Sequence, residues 1–367
     1  MRRTLPWFIL CAALITWWTF LPPPSAWLDR VYGDVIYPAI AAVLVPLTGS
    51  LPLPVTALLL AALLVWLILS VALSKNRRRG TPAFWRWLWR GAVTAVTLYA
   101  LFIVLWGANY GKTPLETRLG LSADAPTAAE TFALAETLGA LLRRGDEAPE
   151  TWATDLNAGK ASLERVAEKL ERHPVTLPRF VKHTPPGFLI FTGRATGITV
   201  PWTLEAYIDR ALPYPVALAT ALHEAAHVAG YAGEAEADFM AALAGLTAEN
   251  ASVRYGAALV LFLRVGQALP PERYEALFKG LPARTRADIT AYSRAYTRYL
   301  APDFVTPLQS YFYDRYLRTQ RVGAGIADYD RVVVLLLSAQ RDGLLTFAPK
   351  GVHFNVPEGR VAPTGPG

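Results

Sequence analysis

The sequence predicts an N-terminal membrane region of three transmembrane helices, followed by a mainly helical α+β domain. Three observations lead there. Residues 4–21, 55–73 and 91–110 are long apolar runs without one charged side chain. The first 110 residues also hold nine of the eleven tryptophans and all of the excess charge, nine Lys or Arg against Asp29 and Asp34. Beyond residue 110 the charges balance, 27 basic against 27 acidic, and helical patterns surround two short β-like runs.

Each apolar run approaches the ~20 residues that a helix needs to cross a ~30 Å hydrocarbon core. Indoles gather at membrane interfaces and basic loops stay cytoplasmic. Arg2 and Arg3 precede the first run, while Lys75, Arg77, Arg78, Arg79, Arg86 and Arg90 lie between the second and third. Three crossings from an inside N-terminus therefore put everything after Tyr110 outside the cell. A cleaved signal peptide is the alternative for 4–21. The length of that run and the poor cleavage site at Pro22-Pro23-Pro24-Ser25-Ala26 speak against it. Residues 35–48 are apolar but short and interrupted by Pro38 and Pro46, which reads as an interfacial or re-entrant piece. Cys11, the sole cysteine, lies inside the first run, so the outer domain has no disulfide to report its compartment. The net charge of +7 thus belongs to membrane orientation. It points to a lipid bilayer as partner and excludes nucleic acid.

Residues 111–345 suffice for one domain with its own core. Thr127 and Glu130 form a capping box that opens a helix ending near Arg144. A second helix covers about 160–172. Gly187 to Gly193 and Gly197 to Trp202 are β-branched and aromatic runs between glycines, which predicts a short hairpin. Further helices are expected at about 234–248, 252–268, 271–280, 284–300, 306–320 and 328–341. Residues 346–367, rich in Pro and Gly, read as a loose tail.

The most informative segment is Thr220 to Ala229, where His223, Glu224 and His227 form an HExxH pattern. Histidines four apart share one helix face, so both imidazoles reach the same small volume. Neutral imidazoles holding zinc bring the pKa of a bound water to about 7, and an adjacent carboxylate can then take its proton. Glu224 is that candidate catalytic base. With five histidines in 367 residues, chance gives the pattern in about 4 of 1,000 such chains, and the apolar flanks Ala225, Ala226 and Val228 also match. Two histidines leave zinc underheld, so a third ligand is required. Gly230 can end the motif helix in a left-handed cap, and Glu234-Ala235-Glu236-Ala237-Asp238 opens the next helix with acids at its positive end. Glu234 and Glu236 both stand as candidates.

That second element resembles the ExxAD or ExxAN element of gluzincin peptidases. The resemblance implies Glu234 as third ligand of one Zn2+ per chain, Asp238 as orienter of a ligand histidine, and a zincin-like metallopeptidase domain. Here six residues separate the two elements, fewer than in many gluzincins. In such enzymes a strand before the motif helix commonly rims the cleft and pairs with the substrate backbone. Gly197, Ile198, Thr199 and Val200 are the candidates, with a plain packing strand as the alternative. His173, His183, His353, Tyr311, Tyr313 and Tyr329 could each stabilise an oxyanion, and spacing selects none of them.

Three N-terminal runs, Trp-Gly-Ala-Asn-Tyr-Gly at 106–111, the His223 motif and Glu-Ala-Glu-Ala-Asp-Phe at 234–239 together resemble a bacterial membrane family called domain of unknown function 3810. That family usually has Asn in place of Asp238. The expectation is a multi-pass protein of the cytoplasmic membrane whose outer domain is a zinc metalloendopeptidase acting on peptides or proteins. A non-catalytic zinc-binding envelope scaffold and an intramembrane protease are the rivals.

Overall fold

Apolar and amphipathic runs alike fold as helix, and the chain is mainly helical. The computed structural model describes residues 3–72, 83–122, 124–144, 151–171, 173–302, 307, 309, 311, 331–348 and 351–356. Four N-terminal helices come first: α1 (Leu5–Phe20), α2 (Ser25–Thr48), α3 (Val55–Ala72) and α4 (Ala83–Leu105). Among the described residues, Ser25–Thr48 and Phe84–Leu105 are long and apolar enough to cross a membrane, while Leu5–Phe20 and Val55–Ser70 are shorter apolar helices.

Helix α2 replaces the short interrupted piece expected at 35–48. It is continuous because Pro38 falls where a π-helical stretch, Leu28–Ile36, gives way to α-helix, and Pro46 sits in the last turn. One face of α2 lies against the domain. Asp29 accepts from the Thr113 backbone N–H at 2.9 Å, the Tyr37 hydroxyl donates to Val228 O at 2.6 Å, and Thr48 Oγ1 lies 2.6 Å from Thr203 O. The other face exposes Val35, Val43 and Leu47.

The remaining three helices project from the domain. At the far end the Trp89 indole donates to Thr4 Oγ1 and Arg90 donates to Ser70 O, joining the start of α1, the end of α3 and the start of α4. At the near end the Glu205 carboxylate accepts from the Val55 and Thr56 N–H groups and caps the start of α3. A buried ion pair with Lys182 holds Glu205 in place.

The domain continues with α5 (Ala128–Arg144), α6 (Trp152–Ala167), β1 (Lys182–Thr184), α7 (Phe188–Gly193), β2 (Gly197–Val200), β3 (Glu205–Asp209), α8 (Tyr214–Val228), α9 (Glu234–Leu246), α10 (Ala251–Gln267), α11 (Pro271–Lys279), α12 (Ala283–Tyr299), α13 (Arg331–Arg341), β4 (Leu345–Ala348) and β5 (Gly351–Phe354). The capping box at Thr127 and Glu130 forms as expected. The sheet order is β1-β3-β2, with β1 parallel and β2 antiparallel to β3. Helix α8 is enclosed by α6, α9, α10 and this sheet. One apolar core runs from Tyr37 and Trp106 through Ala221 and Leu222 to Leu336, so residue 110 does not mark a packing boundary.

Three further expectations are corrected. Residues 188–193 are helical, because Asp209 accepts from the N–H groups of Gly187 and Leu189 and caps a turn. The hairpin partner of β2 is β3 instead. The tail begins as the β4–β5 hairpin, which buries Val352 and Phe354 in the core; residues 357–367 lie outside the described residues. The second helix starts at Trp152 and not near residue 160. The helix expected at 306–320 falls almost wholly outside the described residues, as does the basic segment at 75–79.

Candidate metal centre

Helix α8 supplies His223, Glu224 and His227, and its end is built so that the second histidine is oriented. Ala229 closes the helix and Gly230 follows at φ +100°. The Tyr231 N–H returns to Ala226 O and the Gly230 N–H to His227 O, which makes a Schellman cap. This turn aims the Tyr231 carbonyl at His227 Nδ1, 2.8 Å away. A carbonyl can only accept, so Nδ1 carries a proton and, in the neutral imidazole, Nε2 keeps its lone pair on the side of Glu234. Gly230 also leaves room for Tyr37: a Cβ there would come within 2.9 Å of its ring.

The turn starts α9 straight back over α8, and Glu234 is its first residue. Glu234 Oε2 lies 3.3 Å from His223 Nε2 and 3.5 Å from His227 Nε2. One ligand atom from each of the three residues lies within 4.8 Å of the others. Two ligands at ~2.0–2.1 Å and a tetrahedral angle stand about 3.3 Å apart, so this cluster fits a zinc ion. Asp238, one turn after Glu234, places Oδ1 2.8 Å from His223 Nδ1. Its other oxygen lies 3.1 Å from Arg264 Nη2 on α10. Both histidines thus have Nδ1 beside an oxygen of the protein and Nε2 turned to the same point, the arrangement a metal requires. Glu236 faces elsewhere and accepts from the Leu115 N–H at 2.6 Å.

Electrostatics follow from burial and these neighbours. Burial alone would lower the His223 pKa, but Asp238 and Glu234 raise it well above the usual imidazole value. Burial would raise Glu234, yet the two imidazoles beside it, His223 and His227, hold it well below the carboxylate range. Glu224 is pushed up by burial, against the pull of both histidines.

Glu224 is 3% exposed and sits against β2. Thr199 Oγ1 lies 2.9 Å from Glu224 Oε2 and 3.0 Å from its carbonyl oxygen. A Cβ on Gly197 would come within 2.3 Å of Glu224 Oε1, so only glycine lets the carboxylate lie there. Among the described residues β2 pairs with β3 alone, which leaves its other edge open beside the cluster. Of the four candidate rim residues, Gly197 and Thr199 meet Glu224, Ile198 is exposed, and Val200 is half-buried. The His183 ring lies tilted beside Trp152, His173 and His353 lie on other elements, and Tyr313 and Tyr329 fall outside the described residues.

Sequence reasoning missed the supports that the N-terminal region provides. The Trp106 indole donates to His227 O at 3.3 Å and packs edge-on to the His227 ring. Tyr37 and Lys112 donate to Val228 O and Gly230 O, so three carbonyls at the end of the motif helix and its cap are met from residues 37–112. The signal was the 106–111 run, an aromatic and glycine turn closing an apolar segment, but its contacts required the fold.

A mainly helical chain that joins membrane-length helices to a buried His-His-Glu cluster of metal-ligand geometry is the class this arrangement defines. A family model described as "Protein of unknown function (DUF3810)" matches residues 32–337, and the chain belongs to that family. No curated protein and no solved structure matches it.

Proposed function

We propose that the protein is a membrane-anchored zinc metallopeptidase of gluzincin type that hydrolyses peptide bonds on the extracytoplasmic face. One observation carries this reading. Glu224 is a buried carboxylate beside the His223, His227 and Glu234 cluster, outside the ligand set, kept in place by Thr199 and by the missing side chain of Gly197. A purely structural metal site has no use for it. His223, His227 and Glu234 would hold Zn2+, which when bound supplies Lewis-acid polarisation of a carbonyl and acidifies a water.

The chain's own residues account for the rest. The open edge of β2 offers backbone N–H and C=O groups to a substrate in extended form. Glu224 takes a proton at its carboxylate from the attacking water and returns it to the departing amine nitrogen. Burial raises its pKa toward the range where it can do both. Asp238 and the Tyr231 carbonyl keep both imidazoles facing the centre. Helix α8 has 15 residues and is walled in by helices and sheet, which speaks against an intramembrane protease.

For topology we propose that α1, α3 and α4 cross the membrane and that α2 lies along its outer surface. Their joined far ends carry Arg86 and Arg90, while α2 contacts the domain at both of its ends. Metal analysis of the purified protein together with an unbiased peptide-library digest tests the reading. About one zinc per chain and a set of cut peptides is expected. Zinc without any cleavage would make the chain an envelope scaffold.

A further inference from the structure

The run of chain that forms the rim of the cleft carries large apolar side chains on its outer side. Phe188 and Phe191 on α7 are 52% and 53% exposed, Ile198 on β2 is 46% exposed and Trp202 in the β2–β3 turn is 41% exposed. Four such groups within fifteen residues of a well-packed domain are unusual for a face that meets water. Trp202 shows where this face stands. Its indole donates to Leu98 O at 2.8 Å, and its ring packs near Phe102. Both residues belong to a helix long and apolar enough to cross a membrane. Leu98 lies seven residues before the domain end of that helix, at Leu105. At 1.5 Å per residue, the rim reaches about 10 Å below the end of the helix. The neighbouring surface continues in the same character, with Leu101 and Val104 on α4 and Leu51 and Leu53 in the α2–α3 loop all exposed. Aromatic side chains at that depth match the interfacial belt of a bilayer.

We propose that the rim of the cleft rests in the outer membrane–water interface, and that the substrate is the segment of a membrane-anchored protein immediately next to the bilayer. The second half rests on the peptidase reading; the first does not. Strand β2 turns Thr199 inward to Glu224 and Ile198 outward, so its open edge runs where lipid headgroups end. A chain emerging from the bilayer can add itself to that edge directly. A soluble peptide would first have to reach a cleft whose lower wall is lipid.

Two readouts on the full chain, reconstituted in phosphatidylethanolamine and phosphatidylglycerol vesicles, separate the halves. In a Cys11→Ser background, an environment-sensitive fluorophore is attached to Phe188→Cys or Ile198→Cys, with Glu272→Cys on α11 as control. Nitroxides placed high on the acyl chains should quench the labels at 188 and 198 and leave 272 bright. The second readout is cleavage of quenched peptides tethered to a transmembrane anchor. The peptide whose scissile segment follows the anchor through a short linker should be cut about 10²-fold faster than the untethered peptide. It should also outpace the same peptide on a long linker, which shares the gain in local concentration but not the position. Unquenched labels with faster cutting on the long linker would overturn the lipid seat while leaving a peptidase. Quenched labels with faster cutting on the long linker would overturn the substrate class alone. Quenched labels with no peptide cut would keep the lipid seat and overturn the peptidase reading with its substrate.

Discussion

Replacing Gly197 by alanine is a small change with a large expected effect. A Cβ at this position would lie 2.3 Å from Glu224 Oε1 and 2.8 Å from its Cδ. Carbon and oxygen in ordinary contact stand about 1 Å further apart than that first distance. The Glu224 carboxylate ends a flexible side chain and can swing away by rotating, so the fold should survive. The metal ligands are on other residues, so zinc should stay. What is lost is the placement of the proposed base, and a misplacement of about 1 Å costs on the order of 10² in rate. The assay is kcat/KM on a quenched peptide with zinc measured by mass spectrometry on the same preparation. Gly193→Ala is the control, since a Cβ there meets nothing nearer than 3.9 Å. Parental activity in Gly197→Ala, with zinc intact, would refute the assignment of Glu224 as the base held against β2.

Glu234→Gln should lose most of the bound zinc, while Glu236→Gln should keep it, because the Glu236 carboxylate is engaged by the Leu115 N–H; zinc content of the two purified variants decides. Glu171, buried beside Arg118 and Lys112, has its pKa lowered to about 2 from an ordinary 4.5: burial would raise it and those cations overcome burial. Its contribution is therefore complete above pH 4.5 and is lost as the pH falls toward 2. Glu171→Gln should cost about 3 kcal/mol at neutral pH by leaving Arg118 unpaired, and the gap in thermal stability from the parent should close on acidification. Alkaline phosphatase fused after Tyr110 should be active in cells and fused near Arg79 inactive; the reverse would put the cluster in the cytoplasm.

Much of the site was legible because it is local. His223 and His227 lie one turn apart, and Glu234 and Asp238 repeat that spacing after a glycine cap, so sequence periodicity alone brings each pair to one face. The choice between Glu234 and Glu236 was not legible, since it depends on Leu115 lying where it can hold the second carboxylate. Strand β3 is hard to read from sequence because Glu205-Ala206-Tyr207-Ile208-Asp209 is short, has one β-branched residue and carries an acid at each end. All five residues are buried, and its two acids serve as caps for α3 and α7. For the same reason Phe188 to Gly193 read as a strand, when an aspartate about twenty residues later caps it as a helix. The α2 helix was hidden by two prolines that the π-helical stretch and the helix end accommodate.

On the proposed mechanism Glu224 moves a proton and does not hold metal. Glu224→Gln in the full-length protein, measured for zinc content and peptide cleavage on one preparation, tests it most directly. About one zinc per chain and normal folding should remain, while the cleavage rate falls by roughly 10²–10⁴, the usual worth of a positioned general base. His223→Ala should instead lose the metal, since a site of three protein ligands is left incomplete. A Glu224→Gln variant that cleaves at the parental rate would contradict the account.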